Sequence, residues 1–172
     1  MVIAYLGLGS NLGDREGYLR AAVEALGKLR GTRVLATSGL YCSKPWGKLD
    51  QPDFMNMVAA VETEMEPREL LGECKSIERA AGRTAGERWG PRVLDIDLLL
   101  YDGLTLDSDA LTIPHPRLWQ RQFVLMPLAE LVPGLRDGHG RSILEVLKCE
   151  AIETQGVWPC GALESKGVHE DG

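Results

Sequence analysis

Between Val93 and Leu100 the chain reads Val-Leu-Asp-Ile-Asp-Leu-Leu-Leu, and an extended strand is the structure that sorts this order into faces. Leu94, Ile96, Leu98 and Leu100 then line one apolar side, while Val93, Asp95, Asp97 and Leu99 point the other way. A helix fails, because residues two apart lie on nearly opposite sides and no apolar stripe results. The strand sets the two carboxylates on one face, with Cα atoms roughly 6.5–7 Å apart at about 3.3 Å rise per residue. They can reach a common site.

Aspartate is depleted in strands, and two like charges side by side repel unless something positive lies between them. Oxygen ligands favour Mg2+, and paired carboxylates suit the two-ion sites of phosphoryl transfer. The plainer alternative is an ion network with Arg88 and Arg92. Four arginines, Arg79, Arg83, Arg88 and Arg92, nevertheless exceed what two aspartates need. Such a surplus of guanidinium suits a polyphosphate, whose oxygens take bidentate arginine contacts.

At 172 residues the chain is expected to form one domain with a core that needs no staples. No apolar run reaches the length of a membrane span and the N-terminus lacks a signal-like segment, so a cytoplasmic protein is expected. Cys42, Cys74, Cys149 and Cys160 show no C-x-x-C spacing and read as reduced, packed thiols. A net charge of −6 argues against a nucleic-acid footprint, which needs a basic surface. The arginine cluster is then a local feature, scaled to a small anion.

In chain order, Val2 to Leu8 predicts a buried strand running into Gly7-Leu8-Gly9-Ser10-Asn11-Leu12-Gly13-Asp14. This has one residue too many for a dinucleotide fingerprint and no P-loop lysine. It reads as a tight turn into a helix capped by Asp14 and running to Gly31, with Asn11 a turn residue or a ligand contact. Arg33 to Cys42 and Phe54 to Thr63 predict two further strands. The loop between them, from Ser43 through Lys44, Pro45 and Trp46 to Asp53, has the length of a binding loop. Phe54 and Asn56 share a strand face and suit either a planar heterocycle or the core. Pro67 opens a second helix that Gly82 stops. The order strand, helix, strand, strand, helix, strand is the ferredoxin-like βαββαβ pattern, an α+β fold with an antiparallel sheet, both helices on one face and C-terminal additions. Asp95 and Asp97 fall on its open face. Leu111 to Arg117 is a proline-fixed loop holding His115, Val124 to Leu131 is apolar enough to cover the core, and Ser142 with Glu145 caps a last helix through Leu147. Residues 1–147 are read as the domain and 148–172 as a weakly structured tail.

These residues resemble the 6-hydroxymethyl-7,8-dihydropterin pyrophosphokinase family. The resemblance rests on Arg88-Trp89-Gly90-Pro91-Arg92 followed by Asp95-Ile96-Asp97, with support from Gly9 to Gly13, Asp50 to Asn56, Ile77-Glu78, Ile113 to His115, and Arg121 with Phe123. It implies a monomer that transfers pyrophosphate from MgATP to the pterin hydroxymethyl group and releases AMP. It implies two Mg2+ ions on Asp95 and Asp97, with Arg83 and Arg92 beside them in catalysis. Glu78, Arg83, Arg88, Trp89, Arg92, Leu98, Thr112, His115 and Arg121 would form the ATP site. Asn11, Ser43, Lys44, Pro45, Trp46, Phe54, Asn56 and Phe123 would bind the pterin. Two other classes compete with this reading. A nucleotidyl transferase or cyclase could use the same Asp-x-Asp on the same fold, whereas a non-catalytic binding module would leave the aspartate pair unexplained.

Overall fold

The computed structural model describes residues 1–45, 50–82 and 93–163. The first half runs β1 (Val2–Ser10), α1 (Arg15–Gly27), β2 (Thr32–Thr37), β3 (Leu40–Ser43), β4 (Phe54–Thr63) and α2 (Pro67–Ala80). Then come β5 (Asp95–Tyr101), β6 (Leu106–Asp107), β7 (Thr112–Ile113), a 3-10 turn (Leu118–Gln120), α3 (Gln122–Leu131), α4 (Ile143–Leu147), α5 (Glu150–Glu153) and β8 (Val157–Gly161).

Local chemistry fixes most of these ends. Asp14 accepts from the Gly17 backbone at 3.1 Å and starts α1. Pro67 sits in the first turn of α2, and Gly82, at φ +95°, follows its last residues. Ser142 accepts from the Glu145 backbone at 3.2 Å and starts α4. α1 stops at Gly27, short of the expected Gly31, because Lys28 folds its N–H back onto Ala25 and Leu26. The predicted second strand is two strands, interrupted at Ser38 and Gly39. There the Ser38 N–H donates to the Val58 carbonyl, and its hydroxyl accepts from the Val58 N–H, both at 2.9 Å.

The result is an α+β fold around an antiparallel sheet in the order β5-β1-β4-β3-β8, with β2 also on β4. One face buries Ala4, Leu6, Leu8, Met57, Ala59, Leu94, Ile96 and Leu98 against Leu19, Leu26, Leu70 and Cys74 of α1 and α2. Leucine- and isoleucine-sized side chains buried this way contribute about 1.5–3 kcal/mol each.

The opposite face is not open along its whole length. Val58, Leu99 and Leu100 lie there under Leu125 and Leu128 of α3, Ile143 and Val146 of α4, and Ile152 of α5. Leu100 was expected beside Leu98, but the register slips between Tyr5 and Leu6, and the extra residue Leu99 reverses the alternation. A second core therefore closes the lower part of this face and leaves its upper end, with Asp95 and Asp97, partly accessible.

The stretch after Leu147 departs from the expectation of weak structure. Ser43, Cys42 and Tyr41 of β3 pair with Val157, Trp158 and Pro159 of β8. Main-chain pairing to a free strand edge requires little apolar patterning, so composition does not announce it.

Candidate active site

The pairing registers align a row of residues across the upper end of the sheet. Asp95 pairs with Gly9, Gly9 with Asn56, and Asn56 with Tyr41; beside this row Asp97 pairs with Gly7, and Phe54 with Ser43. Directly paired residues point to the same face. Two strand spacings of about 4.8 Å then separate the aspartate strand from the Phe54–Asn56 strand. Gly9 leaves a trough between them: a Cβ there would meet Asn56 Oδ1 at 3.2 Å and Phe54 Cδ1 at 3.9 Å. Over Gly7 the equivalent space is filled, since a Cβ would meet Leu99 at 3.3 Å. The trough is open at Gly9 and walled by Leu99 below.

Asn56, 5% exposed, is fixed in place. Its amide donates to the Tyr41 carbonyl at 3.2 Å and to Ser43 Oγ at 2.9 Å. Ser43 and Pro45 are buried and Lys44 is exposed. Asn11 is fully buried and donates to Gln51 Oε1 at 2.9 Å and the Pro52 carbonyl at 3.0 Å, while Arg15 donates to the Asp53 carbonyl at 2.8 Å. These bonds tie the β1–α1 turn to the segment that presents Phe54.

A cationic wall faces the aspartates. His115 is anchored by its N–H on the Leu99 carbonyl at 3.0 Å, a group freed by the register slip, and its Nδ1 accepts from the Arg117 backbone at 3.2 Å. Burial lowers the His115 pKa; Arg121 and Arg117 push the same way, and Asp97 opposes them. Burial also lowers Arg121, with Asp97 and Asp95 pulling it back up against Arg117. The Arg121 guanidinium lies 5.5 Å from the Phe123 ring centroid, within cation–π range. Arg121, depressed by burial and by Arg117, gains from an anion placed beside it, while His115 with its lowered pKa is neutral near pH 7. Thr112 pairs with Asp107 at the foot of this wall.

Glu78, 2% exposed, comes from α2 on the other side of β5. Its Oε1 accepts from the Ile96 N–H at 2.7 Å and from Lys75 Nζ at 3.4 Å. That N–H points away from β1, between the two aspartates in sequence. The Leu98 side chain is buried in the helix-side core, which leaves its main-chain groups to make any ligand contact.

The structure thus brings together Asp95, Asp97, His115 and Arg121, and across the trough Phe54 and Asn56. Trp46, Arg83, Arg88, Trp89 and Arg92 lie outside the described residues. Among those described, no three His, Cys, Asp or Glu side chains are placed so that together they could hold a metal ion. Two carboxylates alone suit Mg2+, which keeps waters and takes remaining ligands from phosphate oxygens. The sequence reading missed Arg117, the Gly9 trough and the Arg15 tie. Glycines at 7 and 9 share one strand face and could have marked the trough; the tie from Arg15 spans 38 residues and leaves no local signal.

A carboxylate pair on an antiparallel sheet, opposed by arginines and flanked by Phe54, suits a transferase that handles a polyphosphate beside a small planar substrate. The model of one such family, described as 7,8-dihydro-6-hydroxymethylpterin-pyrophosphokinase (HPPK), matches residues 5–133. The 2-amino-4-hydroxy-6-hydroxymethyldihydropteridine pyrophosphokinase of Methylorubrum extorquens is 48% identical over 147 residues, covering 86% of this chain and 92% of its own length. The Bacillus subtilis protein of the same name is 46% identical over 129 residues, 75% of this chain and 77% of its own. The crystal structure of Plasmodium falciparum HPPK-DHPS superimposes with a TM-score of 0.65 at 18% identity, over 85% of this chain. This chain spans 43% of that longer one, so the likeness concerns the fold of one part of it. The protein belongs to the 7,8-dihydro-6-hydroxymethylpterin-pyrophosphokinase family.

Proposed function

We propose a division of labour among these residues for the family's reaction. The protein is an ATP-dependent pyrophosphokinase that transfers pyrophosphate to 6-hydroxymethyl-7,8-dihydropterin in folate biosynthesis. Asp95 and Asp97 hold two Mg2+ ions, which when bound neutralise the polyphosphate of ATP. His115 and Arg121, with Arg83 and Arg92, grip the phosphate oxygens. Arg88, Trp89, Thr112, Glu78 and the main chain of Leu98 form the nucleotide side, Leu98 through edge groups that alternation directs the same way as the Ile96 N–H. The pterin lies in the trough over Gly9, between Phe54 and Phe123. Asn56 and the main chain of Ser43, Lys44, Pro45 and Trp46 read its polar edge, while Asn11 acts through Gln51 and Pro52.

The observation that carries this reading is the registered row Asp95–Gly9–Asn56–Tyr41. The row separates Asp95 from Asn56 by two strand spacings, which supports a reading with the anion on one side and a bicyclic ring with its hydroxymethyl arm on the other. Pyrophosphoryl transfer then needs positioning and charge stabilisation, with no covalent nucleophile. The strand order with α1 and α2 on one face supports a ferredoxin-like classification. No described helix is long and apolar enough to cross a membrane, and with a net charge of −6 a monomeric, cytoplasmic enzyme of small molecules is the matching proposal.

Phosphorus NMR of the protein with MgATP and the pterin tests the assignment. AMP formation that requires both the pterin and Mg2+ is expected. Release of ADP, as by an ordinary kinase, or of free pyrophosphate, as by a nucleotidyl transferase, would overturn it.

A further inference from the structure

Away from the aspartates, Cys42 of β3 and Cys160 of β8 face each other. The Cys42 thiol donates to Cys160 Sγ at 2.7 Å, although both are free cysteines separated by 118 positions. The strand pairing explains the approach. Cys42 pairs with Trp158, so Trp158 and Cys160, two residues apart on one strand, lie on its face. The register then slips: Tyr41 pairs with Pro159 and Leu40 with Gly161, which leaves Cys160 as the extra, bulged residue. Gly161, at φ +128°, turns the chain directly after it.

We propose that Cys42 and Cys160 are a disulfide-forming site, closed by exchange with a low-molecular-weight disulfide, and that the bond staples β8 to the edge of β3. The two sulfurs differ in access: Cys160 is exposed and Cys42 is buried. Exchange therefore begins at Cys160. Its thiolate attacks one sulfur of the small disulfide and expels the first small thiol, leaving a mixed disulfide on Cys160. The Cys42 sulfur, its proton lost to solvent, attacks Cys160 Sγ and expels the second. Two protein thiols and one small disulfide become one protein disulfide and two small thiols, so electrons and protons balance. Partial burial pushes the Cys160 thiol up to about 12, so the opening attack quickens as pH rises.

Cys74 sits in the helix-side core, and the sulfur of Cys149 contacts Arg141 and the Glu145 carbonyl rather than another thiol. Neither competes for the partner. The site lies at the base of the segment that carries Ser43 and Lys44; Lys44 also packs near Gly156, one residue before β8. The inference rests on the β3–β8 pairing alone and stands independently of the activity assignments above.

The test treats the full-length folded chain with glutathione disulfide and follows intact mass, peptide maps and melting temperature. A loss of two hydrogens, a cross-linked peptide joining residues 42 and 160, and a rise in melting temperature that a reductant reverses are expected. Cys42→Ser should instead retain a glutathione adduct on Cys160. Cys160→Ser, a change at an exposed position that leaves the core intact, should lose both the cross-link and the thermal shift. A persistent adduct on Cys160 of the unaltered chain, cross-links through Cys149 or between chains, no reaction by the folded protein, or a lower melting temperature in the cross-linked form would each overturn the proposal.

Discussion

Gly9→Ala separates the architecture of the trough from the stability of the fold. The added methyl lies 3.2 Å from Asn56 Oδ1, and the three nearest atoms all belong to residues of β4. Asn56 must yield by a few tenths of an ångström, which strains its bonds to the Tyr41 carbonyl at 3.2 Å and Ser43 Oγ at 2.9 Å. At about 1 kcal/mol per bond, weakening both costs about 1–2 kcal/mol of stability, while the methyl itself intrudes on the trough floor at an overpacking cost of about 1–3 kcal/mol, or roughly 5–150-fold in pterin affinity. The stability cost is partly offset. Gly9 is not among the glycines with positive φ, so alanine fits the strand and stabilises by about 0.4–1 kcal/mol through the unfolded chain. Calorimetric titration of pterin and of ATP, beside thermal melts, reads all three quantities. Pterin binding should weaken, ATP binding hold, and the melting temperature move by only a few degrees. Unchanged pterin affinity, or equal losses for pterin and ATP, would refute the assignment of the trough.

Asp95→Asn and Asp97→Asn should each lower turnover by roughly 100–1000-fold, the scale of losing one electrostatic stabiliser. The melting temperature should be retained, because like-charge repulsion is relieved; normal turnover in Mg2+ would remove the metal assignment. Asn11→Ala withdraws a buried donor from Gln51 and Pro52, at about 2–3 kcal/mol of stability, and should raise the KM for pterin more than it lowers kcat. A change confined to kcat would count against positioning through the 51–54 segment. Tyr41, raised to about 12 by burial and then by its 2.6 Å hydrogen bond to Glu130, keeps its proton in the folded state above the pH where the unfolded chain releases it. Its contribution to stability is whole below about pH 10 and falls away as pH climbs towards 12. Tyr41→Phe should flatten that alkaline limb in denaturant melts; an unchanged limb would place the effect in Cys74 or Tyr101, which are raised in the same direction.

Where function constrains short stretches, the sequence was legible. The alternation through Leu94, Asp95, Ile96, Asp97 and Leu98 gave the strand and its faces; Asp14 and Ser142 gave helix starts that their capping hydrogen bonds reproduce, and Pro67 gave one by standing in the first turn of α2. Illegible were features set by long-range main-chain geometry. The slip at Leu99, which turns Leu100 into the second core and frees a carbonyl for His115, depends on how β1 and β5 twist together. The break at Ser38 depends on Val58, and the pairing of β8 depends on an edge that β3 leaves free. Apolar periodicity records that a residue is buried, not where a register slips or which edge a distant strand pairs with.

The seating of β8 on β3 also bears on self-association. Leu40 to Ser43 is a short run near the margin of the sheet, and among the described residues the strand covering its outer side is contributed by residues 157–161. Shorten the chain before Val157, and that margin presents unpaired N–H and C=O groups to solvent, a template on which a strand from a second molecule can add. Such a shortened protein can keep every residue of the trough and the aspartate pair and still fail in the tube, by forming soluble multimers or precipitate as its concentration rises. For this fold the last strand acts as a guard on solubility, and its value is measured by light scattering rather than by turnover.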